Sequence, residues 1–96
     1  MKYIYPAVLS QSKDTVTVSF PDVACITQGK NYSEGFKNAR DGLSLQLYGM
    51  IADGEKLPLP SRLEDIALGG NEALALIEVD LTGFKPDWEL NHEQER

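Results

Sequence analysis

Phe20-Pro21-Asp22-Val23-Ala24-Cys25-Ile26-Thr27-Gln28-Gly29-Lys30-Asn31-Tyr32-Ser33-Glu34 decides the fold, because it holds in order a strand end, a tight corner, a short strand and a capped helix start. Upstream, Thr15-Val16-Thr17-Val18-Ser19-Phe20 alternates with period two, which puts Val16, Val18 and Phe20 on a buried face and Thr15, Thr17 and Ser19 on a wet one. Residues 2–10 are also rich in strand formers, and the polar cluster Ser10-Gln11-Ser12-Lys13-Asp14 joins the two segments as a hairpin. Pro21 stops the second strand, a third is expected at about 23–28, and Gly29-Lys30 turns the chain into the helix.

The helix is bounded by chemistry at both ends. Asn31 can accept from the first helical amides while Glu34, three residues on, reaches back and favours the positive helix end. Gly54, after Asp53, suits a left-handed stop. Between them Tyr32, Phe36, Ala39, Leu43, Leu47 and Met50 recur at three- and four-residue steps, a stripe expected to lie on the sheet. Gly35, Gly42 and Gly49 recur every seven residues beside it. Each costs about 1 kcal/mol relative to alanine, so close approach of the sheet, or of a partner element, is expected to compensate. Leu45 and Ala52 lie outside the stripe and offer a contact surface on the second half of the helix.

Two prolines in Leu57-Pro58-Leu59-Pro60 enforce an extended connector. Ser61 with Glu64 reads as a second capping box, opening a short helix at about 62–67 that ends at Gly69-Gly70-Asn71. Ala73-Leu74-Ala75-Leu76-Ile77-Glu78-Val79-Asp80-Leu81 is nearly continuous in apolar residues, the pattern of a central or well-covered strand. Residues 1–84 are therefore taken as one domain and residues 85–96 as a polar tail, in which Trp88 either docks or stays free.

Composition removes several functions. A 96-residue chain builds one small core, and it holds no apolar run of membrane-spanning length. The first residues lack a secretory leader pattern, so a cytoplasmic home is expected. Cys25 is the single cysteine, which excludes an internal disulfide and a multi-cysteine zinc site; within Val23-Ala24-Cys25-Ile26 it reads as a small hydrophobe. Nine basic against fifteen acidic residues give a net charge of −6, which repels nucleic-acid backbone and attracts a basic protein. His92 stands alone in the tail, and Gly69-Gly70 precedes a strand without the spacing of a phosphate loop. Asp14, Asp22, Glu78 and Asp80 could in principle gather a divalent cation for nuclease chemistry, although turn and corner roles account for Asp14 and Asp22.

Tyr5-Pro6-Ala7, Val18-Ser19-Phe20-Pro21-Asp22, Ile26-Thr27-Gln28-Gly29, Asn38-Ala39 with Leu43, Asp53-Gly54-Glu55, Leu57-Pro58-Leu59-Pro60-Ser61 and Ile77-Glu78-Val79-Asp80-Leu81 follow one another in an order that resembles HicB-like antitoxins over nearly the whole chain. The resemblance implies an α+β fold, a small antiparallel sheet with one long helix across it, partial RNase H-like, with no catalytic residues and no cofactor or metal. It implies a protein that binds and masks a small HicA-type ribonuclease toxin cleaving messenger RNA, and a homodimer formed through a sheet edge or the helix flank. The corner Pro21–Cys25 is about one residue shorter than is usual in that family, and residues 85–96 supply no DNA-binding segment, so operator binding is not expected of these residues. From exposure and chemistry, the toxin-facing residues are expected to be Tyr5, Asp22, Thr27, Gln28 and Glu34 near the corner and Tyr48 on the outer helix face. An equal reading has Asp22, Thr27 and Gln28 satisfying backbone groups at the corner. The competing functions are a toxin-free regulatory or assembly module and a metal-dependent nuclease using Asp22, Glu78 or Asp80.

Overall fold

In the computed structural model, which describes residues 1–86, four strands and one long helix form two layers. β1 (Lys2–Ser12), β2 (Thr15–Ser19), β3 (Ile26–Gly29) and β4 (Glu72–Asp80) form a wholly antiparallel sheet in the order β3-β2-β1-β4. The helix α1 (Tyr32–Ala52) lies across one face. This is the α+β arrangement expected from the sequence.

The alternation in β1 and β2 sets the register. Leu9 pairs with Val18 and Gln11 with Val16, and the strands meet at Ser12 opposite Thr15. Only Lys13 and Asp14 make the turn, and no described non-glycine residue has positive φ, so the primed turn geometry usual for two-residue hairpins is not used. Val16, Val18 and Phe20 join Tyr5, Ala7, Leu9, Ile77 and Val79 under Ala39, Leu43 and Leu47 of α1. Leu43 and Leu47 are fully buried, each contributing about 1.5–3 kcal/mol of apolar transfer.

Both helix ends obey their local chemistry. Asn31 accepts from the Glu34 amide at 2.9 Å, and the Glu34 carboxylate accepts from the Lys30 amide at 3.0 Å, one residue upstream of the usual reciprocal bond. At the other end Gly54 has φ +74°, its amide donates to Ile51 O, and the Glu55 amide donates to Met50 O. That pair of bonds is the Schellman stop, and it requires the left-handed residue that glycine supplies.

The glycine strip is mostly sheet-facing. Gly29 of β3 touches the helix backbone so closely that a Cβ there would stand 2.3 Å from Gly35 N. A Cβ at Gly35 would meet Val16, and one at Gly42 would lie 3.1 Å from Cys25 Sγ. Gly49 faces open space, so packing accounts for Gly35 and Gly42 and not for Gly49.

Four expectations are corrected. Tyr32 is 53% exposed and is not a core residue; its hydroxyl reaches out of the stripe to donate to Gln11 Oε1 at 2.7 Å. Met50 is only partly buried. The helix expected at 62–67 is a single 3-10 turn, Leu63–Asp65, preceded by Arg62 without a side-chain cap, because Ser61 is engaged elsewhere. β4 is an edge strand, not a central one: Ile77 and Val79 face the core while Leu76 on the opposite face is 59% exposed. The central apolar run is instead Tyr3–Leu9 of β1, which pairs with β4 from Lys2 to Ser10 but with β2 only from Val8 onward. Pro6 fits there because its missing N–H need not interrupt a ladder on the unpaired side.

Candidate functional site

The Phe20–Cys25 corner is built from short-range bonds. The Phe20 amide donates to Cys25 O at 3.1 Å and the Cys25 amide to Val23 O at 2.7 Å, which holds Val23 in the core. Cys25 is half-buried beside Gly42, and burial pushes its thiol pKa up, away from the reactive thiolate. Asp22 points from the corner to the connector. Its carboxylate accepts from the Ser61 amide at 2.8 Å and from the Ser61 hydroxyl. Tyr5, from the middle of β1, donates its hydroxyl to Pro58 O at 2.5 Å. Two core-side groups thus clamp the extended proline segment that the sequence dictates.

Tyr5 is only 3% exposed, so the exposure expected of it does not hold. Burial, then the negative charge of Asp22, then Tyr3 raise its phenol pKa above 10.0. Asp22 is partly buried and serves the connector rather than the corner's own backbone. Thr27 points toward α1, with its methyl against Gly42 and its hydroxyl oxygen buried without a hydrogen-bond partner among the described residues. Gln28 is exposed, and its carbonyl accepts from Asn38 Nδ2 at 2.8 Å, tying β3 to α1. Glu34 is exposed while capping the helix. Gln28 and Glu34 line one shallow cleft with Asp14, Thr15, Gly29 and Lys30. Tyr48 lies in the second half of α1, its ring 5.6 Å from that of Phe84 at a 58° tilt. It borders an apolar cavity with Met1, Tyr3, Ile51, Leu81 and Thr82. The six expected residues therefore fall into three places: Tyr5 with Asp22 at the connector, Thr27, Gln28 and Glu34 between β3 and the first half of α1, and Tyr48 beyond.

A surface that the sequence pattern did not announce lies on the helix-free face of the sheet. Alternation along β4 directs Glu72, Leu74, Leu76, Glu78 and Asp80 to that face, where Ile4 stands opposite Glu78. Ile4 and Leu76 are 46% and 59% exposed. The even-numbered alternation of acidic and apolar residues was the available signal; the alanines between them, Ala73 and Ala75, disguised it as a continuous apolar run.

The carboxylates considered for a metal centre are dispersed. Asp14 occupies the hairpin turn and Asp22 binds Ser61. Asp80, at the far end of β1 from Asp14, accepts from the Thr82 amide at 2.9 Å and from the chain's amino terminus at 3.2 Å. The Thr82 backbone bond, then the Thr82 side chain, then the terminal ammonium lower its pKa from 3.8 to about 2. No group of three or more metal-ligating side chains occurs among the described residues. The expectations for Trp88 and His92 lie outside the described residues. No helix among the described residues is long and apolar enough to cross a membrane.

Comparison with known proteins agrees with this geometry. A chain in the toxin-antitoxin complex from Streptococcus pneumoniae superposes with a TM-score of 0.76 at 21% identity, covering 99% of this chain and 88% of that one. A chain of the HicA3 and HicB3 toxin-antitoxin complex gives 0.65 at 24% identity, covering 81% of this chain and 99% of that one. These likenesses establish a shared fold. In sequence, an uncharacterized 14.9 kDa protein in the rep-hol intergenic region of Haemophilus phage HP1 (strain HP1c1) is 36% identical over 62 residues, 64% of this chain. The chain spans about half of that relative, 47% of its length. Residues 5–90 match the family described as HicB_like antitoxin of bacterial toxin-antitoxin system, which takes in β1 from Tyr5 onward, the other three strands, the helix and the clamped connector. The chain belongs to the HicB-like antitoxin family.

Proposed function

We propose that this chain is the antitoxin of a type II toxin–antitoxin pair, binding a small HicA-type ribonuclease and masking its active site from messenger RNA. Membership of the HicB-like antitoxin family is the observation that carries the reading. Its fold, shared with chains of two toxin-antitoxin complexes, supports it. The charge fits as well, because a protein that grips RNA presents lysine and arginine to phosphate, and a domain of net charge −6 competes for the same field. Its role is to occlude, not to catalyse, and its setting is the cytoplasm where messenger RNA is cleaved. The homodimer expected from the sequence belongs to the same proposal, with the exposed Leu45 and Ile51 of α1 as the apolar flank it would use.

The deciding experiment mixes this domain with the small basic protein encoded beside it and reads complex formation by size exclusion and RNA cleavage on a gel. A stoichiometric complex with cleavage abolished is the expected result. Cleavage undiminished, with the two proteins eluting separately, overturns the reading in favour of a toxin-free regulatory module.

A further inference from the structure

We propose that the toxin docks on the helix-free face of β4 and its outer edge, centred on Leu76, rather than at the corner; this rests on the antitoxin reading above. β4 is nine residues long and has no strand on its outer side among the described residues. It contains no proline and no lysine, the residues that usually blunt an exposed edge. Its outward row is apolar in the middle and acidic at the ends: Leu74 and Leu76 between Glu72 on one side and Glu78 and Asp80 on the other. Ile4 extends the apolar part onto β1, whereas Pro6 and Val8 in the same face are buried and half-buried. On β1 and β4 the exposed large apolar side chains of this face are thus Leu76 and Ile4, with the carboxylates around them; Ile26, 73% exposed, lies at the opposite edge on β3. Lys2, opposite Asp80, and the Met1 ammonium, 3.2 Å from the Asp80 carboxylate, are the cations at the Asp80 end of this face, which leaves Glu72 and Glu78 beside the leucines.

That charge pattern selects the occupant. A second copy pairing its β4 antiparallel to this one can set Leu76 against Leu76 or against Leu74. The first register puts Glu72 directly opposite Asp80 and the second puts Glu72 opposite Glu78, each twice by symmetry. Like charges directly opposite are destabilising in a sheet. A basic protein meets no such conflict. Its apolar residues cover Leu76 and Ile4, and its lysines and arginines meet the acidic rim, the usual anatomy of a specific interface. An RNA-cleaving partner carries those cations already, because it must hold the phosphate backbone.

The test uses the full chain and the small basic ribonuclease encoded beside it. Wild type, Leu76→Arg, Glu78→Lys and Ile26→Arg are compared for affinity, for inhibition of RNA cleavage and for thermal midpoint. Leu76 and Ile26 are both solvent-exposed, so neither substitution fills the core. Leu76→Arg is expected to weaken binding at least tenfold, and Glu78→Lys to slow association and flatten its salt dependence. Ile26→Arg, on β3 at the opposite edge of the sheet from β4, is expected to bind as wild type does. A wild-type chain that inhibits while Leu76→Arg inhibits equally well overturns the docking surface and leaves the antitoxin reading standing. A Leu76→Arg chain that dissociates a self-dimer without losing inhibition assigns the face to a second copy and also overturns it. A wild-type chain that neither binds nor inhibits removes the antitoxin reading itself.

Discussion

Asp22 and Ser61, 39 residues apart in the chain, are joined by two hydrogen bonds that share one carboxylate, one from the Ser61 amide at 2.8 Å and one from its hydroxyl. This pair fixes where the connector leaves the corner on its way from the helix to β4. Hydrogen bonds to a charged group contribute about 1.5–3 kcal/mol, and this pair is partly buried. Asp22→Ala is therefore expected to destabilise the domain by about 2 kcal/mol, lowering the thermal midpoint by roughly 10 °C. Ser61→Ala keeps the amide bond and should cost less than half as much. Equal losses in the two variants, followed by circular dichroism, would show that the amide bond contributes nothing.

Tyr5 holds the same connector three residues earlier, through its bond to Pro58 O. Tyr5→Phe is expected to cost about 1 kcal/mol. It should also change the alkaline limb of the stability curve. The folded phenol pKa lies above the ordinary 10.0, so the stability linked to it is complete below pH 10 and is lost as pH rises through the folded value. Denaturant unfolding between pH 8 and 11 should show that loss in the wild type and a flatter profile in Tyr5→Phe.

Gly29 and Gly49 make opposite forecasts from the same residue type. A Cβ at position 29 would stand 2.3 Å from Gly35 N and 2.7 Å from Glu34 C, both backbone atoms that cannot swing aside. Gly29→Ala is expected to cost about 3 kcal/mol or more by forcing β3 and α1 apart. At position 49 a Cβ meets nothing within 4 Å, so Gly49→Ala should stabilise by about 1 kcal/mol through helix propensity alone. Chemical denaturation of both variants checks the pair, and a destabilised Gly49→Ala would contradict the open space beside it.

The parts of this fold that were legible are those whose physics is local. Asn31 with Glu34, and Gly54 after Asp53, mark the helix ends because the bonds they make lie within five residues. The Val16-Val18-Phe20 alternation names its buried face without reference to any other segment. Where the sequence misled, a distant partner decided. Ser61 with Glu64 has the spacing of a capping box, but Asp22 takes both Ser61 donors and leaves only a 3-10 turn. The composition of β4 says that it is a strand, yet its place in the sheet depends on which neighbour it lacks. Tyr5 and Asp22 looked like surface chemistry because their partners, Pro58 and Ser61, lie in a loop whose path is not written in local spacing. Gln28 and Glu34 do come together, since β3 runs directly into the helix.

Asp80 ties the end of β4 to the start of β1. The Thr82 amide contributes most to lowering its pKa to about 2, ahead of the Thr82 side chain and the terminal ammonium. Because the folded value is depressed, the associated stability is complete above the ordinary carboxylate pKa and is lost as pH falls through the window from about 4 to about 2. An NMR titration of the Asp80 carboxylate should place its midpoint near 2. Thr82→Val keeps the amide donor and removes the hydroxyl, so it should raise the midpoint only partway toward 3.8. A full return to the ordinary value in Thr82→Val would assign the effect to the hydroxyl instead of the backbone.

Thr27 separates a packing role from a contact role. Its hydroxyl oxygen is buried without a partner among the described residues, and its methyl packs beside Gly42. A buried hydroxyl that makes no hydrogen bond retains its desolvation cost with no compensating gain, whereas a methyl of the same shape carries none. Thr27→Val is therefore expected to leave stability unchanged or raise it by about 1 kcal/mol. Since Thr27 faces α1 and not solvent, the same variant should inhibit the ribonuclease as the wild type does. Loss of inhibition at unchanged stability would mean that the hydroxyl turns outward to meet the toxin, and would return β3 to the interface in place of β4.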